Sequence, residues 1–261
     1  MAKKYFAGCD VGSTYTKAVI LDEQGNIVAH TTIRSKINSE QSAQIAMQEV
    51  IDQVPDLHSS KDLEYLIGTG YGRNKVPFAD ENVSEISCHA MGVHVTDPTV
   101  KAIIDIGGQD VKGISIDTDG TVKNFAMNDK CAAGTGRFYE AMARSFEMTL
   151  PEFSNLSLGA KNVIPITAQC TVFAESEVVS LIAQNKTPAD IIHGLNRSVA
   201  SKTVSLCRRV GGEEAYMMTG GVSKNRGVAA EIEKLLGVKL HISEKAQLNG
   251  ALGAALFALE L

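Results

Sequence analysis

DVGSTYTKAVILDEQGNIV, Asp10 to Val28, and DIGGQDVKGISIDTDGTVK, Asp105 to Lys123, are two copies of one pattern. An offset of 95 residues brings Asp10 onto Asp105, Gly12 onto Gly107, Lys17 onto Lys112, Asp22 onto Asp117 and Gly25 onto Gly120. Each copy is an apolar strand, a tight turn of small residues, a second alternating strand and an Asp/Gly turn into a third. That order predicts a β-meander with a hairpin signal at each bend. Self-similarity over so long a separation predicts a duplicated α/β fold whose copies face each other across a cleft.

The repeated turns carry the chemistry of a nucleotide site. Gly12-Ser13-Thr14 and Gly107-Gly108-Gln109 let backbone N–H groups approach an anion closely and form a nest for phosphate oxygens. Lys17 either adds charge there or points to solvent from its alternating strand. Asp10 and Asp105 end their strands at these turns, and two carboxylates so placed suit Mg²⁺, which keeps most of its waters and bridges phosphates. A third Gly-rich turn follows the apolar strand AYMMT and runs Thr219-Gly220-Gly221-Val222-Ser223-Lys224-Asn225. Its glycines allow backbone to pass against a flat adenine or ribose.

Between and beyond the copies, residues 39–54 read as an amphipathic helix, DLEYLIGTGYGR as a strand into a Gly-rich loop, and 84–95 as a helix. Glu85 and His89 stand one turn apart on that helix, read as a helix-face contact or a solvated pair. The tail AQLNGALGAALFALEL is a small-residue helix able to pack closely. Asp97-Pro98 is the expected boundary, with a first half over 1–97 joined by the C-terminal helix 246–261 and a second half over 98–245. Two cysteines stand ahead of apolar-periodic segments, Cys131 in NDKCAAGTGRF and Cys170 in CTVFAESEVVS. A thiol before a helix N-terminus meets free N–H groups and a dipole that favours negative charge. Spacing alone equally allows each to be a small buried apolar residue. Cys9, Cys88 and Cys207 read as packing residues.

Composition bounds the rest. A net charge of −5 and a pI near 5.7 give no electrostatic case for nucleic acid or an anionic membrane as partner. No apolar run approaches the ~20 residues of a membrane helix, and MAKKYFAG enters a strand without a signal-peptide core. Five irregularly spaced cysteines argue against a secreted disulfide framework. The expectation is a cytoplasmic protein.

DVGST, DIGGQDVK and MTGGVSKN resemble the two phosphate motifs and the adenosine motif of the superfamily of actin, the sugar kinases and the heat-shock ATPases, built of duplicated ribonuclease H-like domains. NDKCAAGTGRF and CTVFAESEVVS, with TGYGRN and SCHAMG, resemble the ATP-dependent activators of 2-hydroxyacyl-CoA dehydratases, in the BadF/BadG/BcrA/BcrD-type ATPase family. The resemblance implies a nucleotide set of Gly12, Ser13, Thr14, Tyr15, Thr16, Lys17, Gly107, Gly108, Gln109, Gly220, Gly221, Lys224, Asn225 and Gln247. Asp10, Asp105 and Gln109 are the implied catalytic residues, the two aspartates holding Mg²⁺ through water. Cys131 and Cys170 are the implied ligands of one 4Fe–4S cluster shared across a homodimer. The implied activity is hydrolysis of ATP to ADP coupled to passage of one electron from reduced ferredoxin or flavodoxin to a partner dehydratase or related iron–sulfur reductase. A small-molecule kinase or a nucleotide sensor would share the nucleotide motifs without needing Cys131 or Cys170. A kinase would also call for inserted substrate-binding segments, for which so short a chain leaves little room. The resemblance assigns no role to Arg73, Glu175 or Glu177.

Overall fold

β1 (Tyr5–Val11), β2 (Tyr15–Asp22) and β3 (Ile27–Arg34) form the predicted meander, and β6 (Ala102–Ile106), β7 (Val111–Ile116) and β8 (Val122–Asn128) repeat it. This computed structural model describes residues 3–167 and 170–261. β4 (Tyr65–Thr69) lies parallel to β1 and β5 (Glu81–Asn82) parallel to β4, giving the order β3-β2-β1-β4-β5. β9 (Tyr216–Thr219) and β10 (Leu240–His241) extend the second sheet in the same way, as β10-β9-β6-β7-β8. The two sheets therefore share strand order, direction and registry, as a duplication requires. β7 is buried along its whole length, so the alternation read there reflects residue type and not exposure.

The chain divides into two units. One runs to Val100 and takes in Ile116–Lys123 and Gln247–Leu261; the other comprises Lys101–Ser115 and Asn124–Ala246.

In the first unit, α1 (Ser39–Ile51) starts where the Asn38 side chain accepts from the N–H groups of Glu40 and Gln41, a standard N-cap. Its apolar stripe packs with Ala7, Cys9, Val11, Ala18 and Ile20 on one face of the sheet. The opposite face, with Val19 and Leu21, is covered by α8 (Asn249–Glu260), against which α2 (Glu85–Thr96) also packs. With both faces covered, these strands are apolar on both sides. The small residues of α8 permit backbone-to-backbone approach. A methyl at Gly253 would collide with the Cys88 carbonyl of α2. Gly253→Ala, which helix propensity alone favours by about 1 kcal/mol, is expected instead to destabilise by about 2–3 kcal/mol, read as a lowered urea midpoint.

In the second unit, among the described residues, four α-helices lie between β8 and β9, where the first copy has α1: α3 (Gly136–Ser145), α4 (Leu150–Leu156), α5 (Thr171–Ala183) and α6 (Pro188–Arg209). Both motif cysteines lie in this longer segment. α7 (Arg226–Leu236) connects β9 to β10. The core of this unit joins Phe138, Tyr139 and Met142 of α3, Phe153 of α4, Ala174 and Val178 of α5 and Leu195 and Val199 of α6 to Ile104 and Met218 of the sheet. Among the described residues no helix is long and apolar enough to cross a membrane.

Candidate functional site

Asp10 and Asp105 occupy the same seat in their respective sheets. Asp10 stands opposite Lys17 on β2 and beside Thr69 on β4; Asp105 stands opposite Lys112 on β7 and beside Thr219 on β9. Lys17 Nζ lies 2.6 Å from Asp10 Oδ2, and Lys112 Nζ lies 3.1 Å from Asp105 Oδ2 and 2.9 Å from Asp110 Oδ2. Lys17 therefore pairs with a carboxylate, which removes the reading of it as a solvated strand residue. Thr219 Oγ1 donates to Asp105 Oδ1 at 2.8 Å. Both aspartates are buried, and charges so placed are tolerable because they are paired and hydrogen-bonded.

Glycines with positive φ close both seats, Gly70 after β4 at +88° and Gly220 after β9 at +82°. A methyl on Gly70 would strike Asp10 Oδ1, and one on Gly220 would stand 2.9 Å from Asp105 Oδ1. The first seat has a further wall. A methyl on Gly250 of α8 would lie 2.9 Å from Asp10 Oδ2 and 3.3 Å from His89 Nε2. His89 is buried, and Asn249 Nδ2 lies 3.2 Å from its Nδ1 and 3.0 Å from its carbonyl oxygen. The solvated Glu85–His89 pair is thus corrected, because α8 covers this face of α2. Thr69 and Gly70 stand at Asp10 as Thr219 and Gly220 stand at Asp105, a correspondence absent from the sequence reading. The signal was present as a Thr-Gly dipeptide after an apolar strand in each copy. Arg73 Nη1 donates to the Gly70 carbonyl at 3.2 Å and braces the same corner.

The remaining nucleotide-motif residues divide by what their side chains do. Thr16 is buried, its hydroxyl 2.9 Å from Ser35 Oγ, which donates to the Gly12 carbonyl at 2.8 Å. Arg34 lies over the Tyr15 ring. These side chains shape the loop, while Gly12 and Ser13 stay partly open and Thr14 is buried. Gly107 N–H closes its turn on the Asp110 carbonyl at 2.9 Å. After β9, Gly220 leads into a 3-10 turn, Gly221–Lys224, and the Asn225 side-chain oxygen accepts from Gly227 N and Val228 N. That oxygen is occupied as the N-cap of α7, which narrows any ligand contact of Asn225 to its other groups. Lys224 is exposed, and Gln247 is half-buried in the segment leading to α8.

Cys131 and Cys170 are exposed, whereas Cys9, Cys88 and Cys207 are buried, and burial pushes those three thiols up to about 12. The buried-packing alternative is therefore excluded for the motif pair and holds for the other three. Cys170 is the N-cap of α5. Cys131 is not at a helix start: the N-cap of α3 is Thr135, and a turn closed by Thr135 N–H and Oγ1 on the Ala132 carbonyl intervenes. Gly134, at a φ of +93°, permits this turn, so the helix-dipole argument applies to Cys170 and only weakly to Cys131. α3 and α5 pack together, and Ser145 Oγ donates to Glu175 at 3.2 Å across them. Glu177 accepts from the N–H and hydroxyl of Thr167, fastening the segment before Cys170 to α5. Val172, Phe173 and Val179 leave an exposed apolar face on α5 beside Cys170.

The chain is similar to known proteins along almost its whole length. The family described as the BadF/BadG/BcrA/BcrD ATPase family matches residues 7–258. An activator of lactoyl-CoA dehydratase from Anaerotignum propionicum is 45% identical over 258 residues, covering 98% of each chain. The crystal structure of component A of the Acidaminococcus fermentans (R)-2-hydroxyglutaryl-CoA dehydratase is 44% identical, with a TM-score of 0.92 over 98% of each chain. The activator of 2-hydroxyisocaproyl-CoA dehydratase from Clostridium difficile, solved with bound ADPNP, is 40% identical, with a TM-score of 0.92 over 98% of this chain and 94% of that one.

Proposed function

The chain belongs to the BadF/BadG/BcrA/BcrD ATPase family, and on that premise we propose that it is an ATP-hydrolysing iron–sulfur activator of a 2-hydroxyacyl-CoA dehydratase or a related iron–sulfur reductase. In this reading it takes one electron from reduced ferredoxin or flavodoxin and passes it to the partner enzyme, while ATP is hydrolysed to ADP and phosphate. The observation that carries the reading is the pair of exposed cysteines, Cys170 capping α5 and Cys131 in the loop ahead of α3, with those two helices packed together in the same unit as the Asp105 phosphate loop.

The donor set fits half of a four-thiolate shell. Among the described residues no group of three or more His, Cys, Asp or Glu could hold a metal ion, so one chain does not complete a site. A homodimer placing Cys131 and Cys170 of both copies around a twofold axis would supply the four. The exposed apolar face of α5 beside Cys170 supports such a contact. A 4Fe–4S cluster held there would supply a one-electron store. The free N–H groups at the start of α5 favour negative charge on the Cys170 sulfur. Mg²⁺, bound through its waters, would supply positive charge to the phosphates. Asp10 and Asp105, each with one oxygen engaged by a lysine, would accept hydrogen bonds from those waters and orient the attacking one. Gly12, Gly107 and Gly108 let backbone N–H groups reach the phosphates, and Gln109 adds a side-chain contact.

The test is preparation without air. The protein is expected to be brown, to sediment as a dimer and to carry about four iron atoms per two chains. It should reduce a dehydratase partner only while hydrolysing ATP. A colourless, iron-free protein with full ATPase activity would move the assignment to a nucleotide enzyme without a redox role.

A further inference from the structure

The phosphate loop and the start of α3 are joined by four hydrogen bonds. Gly136 N–H donates to the Gly107 carbonyl at 2.8 Å and Arg137 N–H to the Gly108 carbonyl at 3.0 Å. The first N–H groups of a helix have no partner inside it; here two of them hold the loop. A methyl on Gly136 would stand 3.2 Å from the Gly107 oxygen and 3.3 Å from Gly108 Cα, so a side chain there would force the two segments apart. The guanidinium of Arg137 supplies the other two bonds. With its amide turned to meet the two donors, Gln109 Oε1 accepts from Arg137 Nη1 at 3.0 Å and from Nε at 3.2 Å.

We propose that Arg137 is a positioning residue that orients Gln109 toward the phosphates and ties the nucleotide loop to the Cys131 segment. This rests on the nucleotide and iron assignments made above. An amide has one acceptor end and one donor end. By taking both lone pairs of Oε1, the guanidinium fork fixes which end of the amide donates, and that NH₂ end is the one an anionic phosphate oxygen would draw on. A phosphate drawing on that NH₂ would move the Gln109 side chain, and Arg137 with it. The Arg137 backbone is the second residue of α3, six residues after Cys131, and the intervening turn is closed on Ala132. A displacement of the loop is therefore carried into the segment that presents Cys131. Arg137 is itself exposed, so its replacement does not open the core.

The experiment compares Arg137→Met and Arg137→Lys with the unchanged protein, all prepared without air. It measures ADPNP affinity by calorimetry, iron content, and the rate at which a bipyridyl chelator removes iron with and without ADPNP. In the unchanged protein ADPNP is expected to alter the chelation rate about tenfold, the usual range for coupled sites. In Arg137→Met iron content stays the same, ADPNP affinity falls by less than about threefold, and the chelation ratio collapses to about one. Arg137→Lys, with one donor group in place of a planar fork, restores only part of the ratio. A full ratio in Arg137→Met overturns the proposal. So does a loss of ADPNP affinity in that variant which lysine restores, because Arg137 would then be a direct phosphate ligand. An unchanged protein that holds iron but shows no ADPNP effect also overturns it. An unchanged protein without iron instead refutes the parent assignment.

Discussion

Asp105→Asn is expected to lower ATP hydrolysis about a thousandfold, the scale of removing one preorganised electrostatic contact from a transition state, with iron content unchanged. Asparagine is the informative substitution because of what surrounds the carboxylate. Lys112 is almost fully buried, and its partners include Asp105 and Asp110. Alanine would leave a void and strip the Thr219 hydroxyl of its acceptor as well as ending the pairing with Lys112; either variant breaks that buried pair, which costs about 3–5 kcal/mol, so the folding readout accompanies the rate. Asparagine keeps an oxygen for the Thr219 hydroxyl and keeps the volume, while the negative charge needed to order Mg²⁺ and water is gone. The assay is steady-state phosphate release over a range of Mg²⁺, alongside the thermal midpoint. An undiminished rate would take Asp105 out of the catalytic role, and a collapsed midpoint would show that the pairing with Lys112 is structural above all. Asp10→Asn should also lower hydrolysis, because Lys17 and Gly70 stand at Asp10 as Lys112 and Gly220 stand at Asp105, whereas the Thr69 hydroxyl donates to the Val83 carbonyl at 2.9 Å.

That pair of seats shows how far the sequence could be read. The matching positions of Asp10 and Lys17 with Asp105 and Lys112 were legible because each set lies within one hairpin, where duplication preserves spacing; that each lysine pairs with its aspartate was not. Thr69 and Thr219 were not, although they stand beside those aspartates in the same register. The first copy reaches its fourth strand through one helix and the second through four, so the constant offset ends at the third strand. Exposure was equally hidden. Cys131 and Cys170 each stand ahead of an apolar-periodic segment, yet only Cys170 caps its helix. The turn that separates Cys131 from α3 depends on Gly134 at a φ of +93°, which spacing alone does not reveal. The solvated alternative for His89 fails for a related reason: the helix that covers it comes from the far end of the chain. Spacings within a hairpin or a helical turn were readable; contacts made by α8, or by the loop of one element with the start of another, were not.

Cys131→Ala and Cys170→Ala should each remove essentially all iron, because each would delete two of the four thiolates in a site built from two copies. Both side chains are exposed, and substitution at the surface usually shifts stability by no more than about 0.5 kcal/mol, so the iron-free variants should remain folded. The buried cysteines give the opposite result. Cys88 and Cys207 are packed in the cores, and alanine there is expected to cost about 1 kcal/mol while leaving iron content alone. Their thiols, pushed up to about 12 by burial, are also poor sources of the thiolate a metal requires. Iron per chain, sedimentation and thermal midpoint measured on all four variants without air separate the two classes. The sedimentation result has its own meaning. If the apolar face of α5, with Val172, Phe173 and Val179, makes most of the contact between copies, the iron-free variants will stay dimeric; if the shared metal holds them together, they will fall to monomers. Either result fits a shared site. A Cys131→Ala variant with undiminished iron would not, since no third exposed cysteine exists among the described residues to replace it.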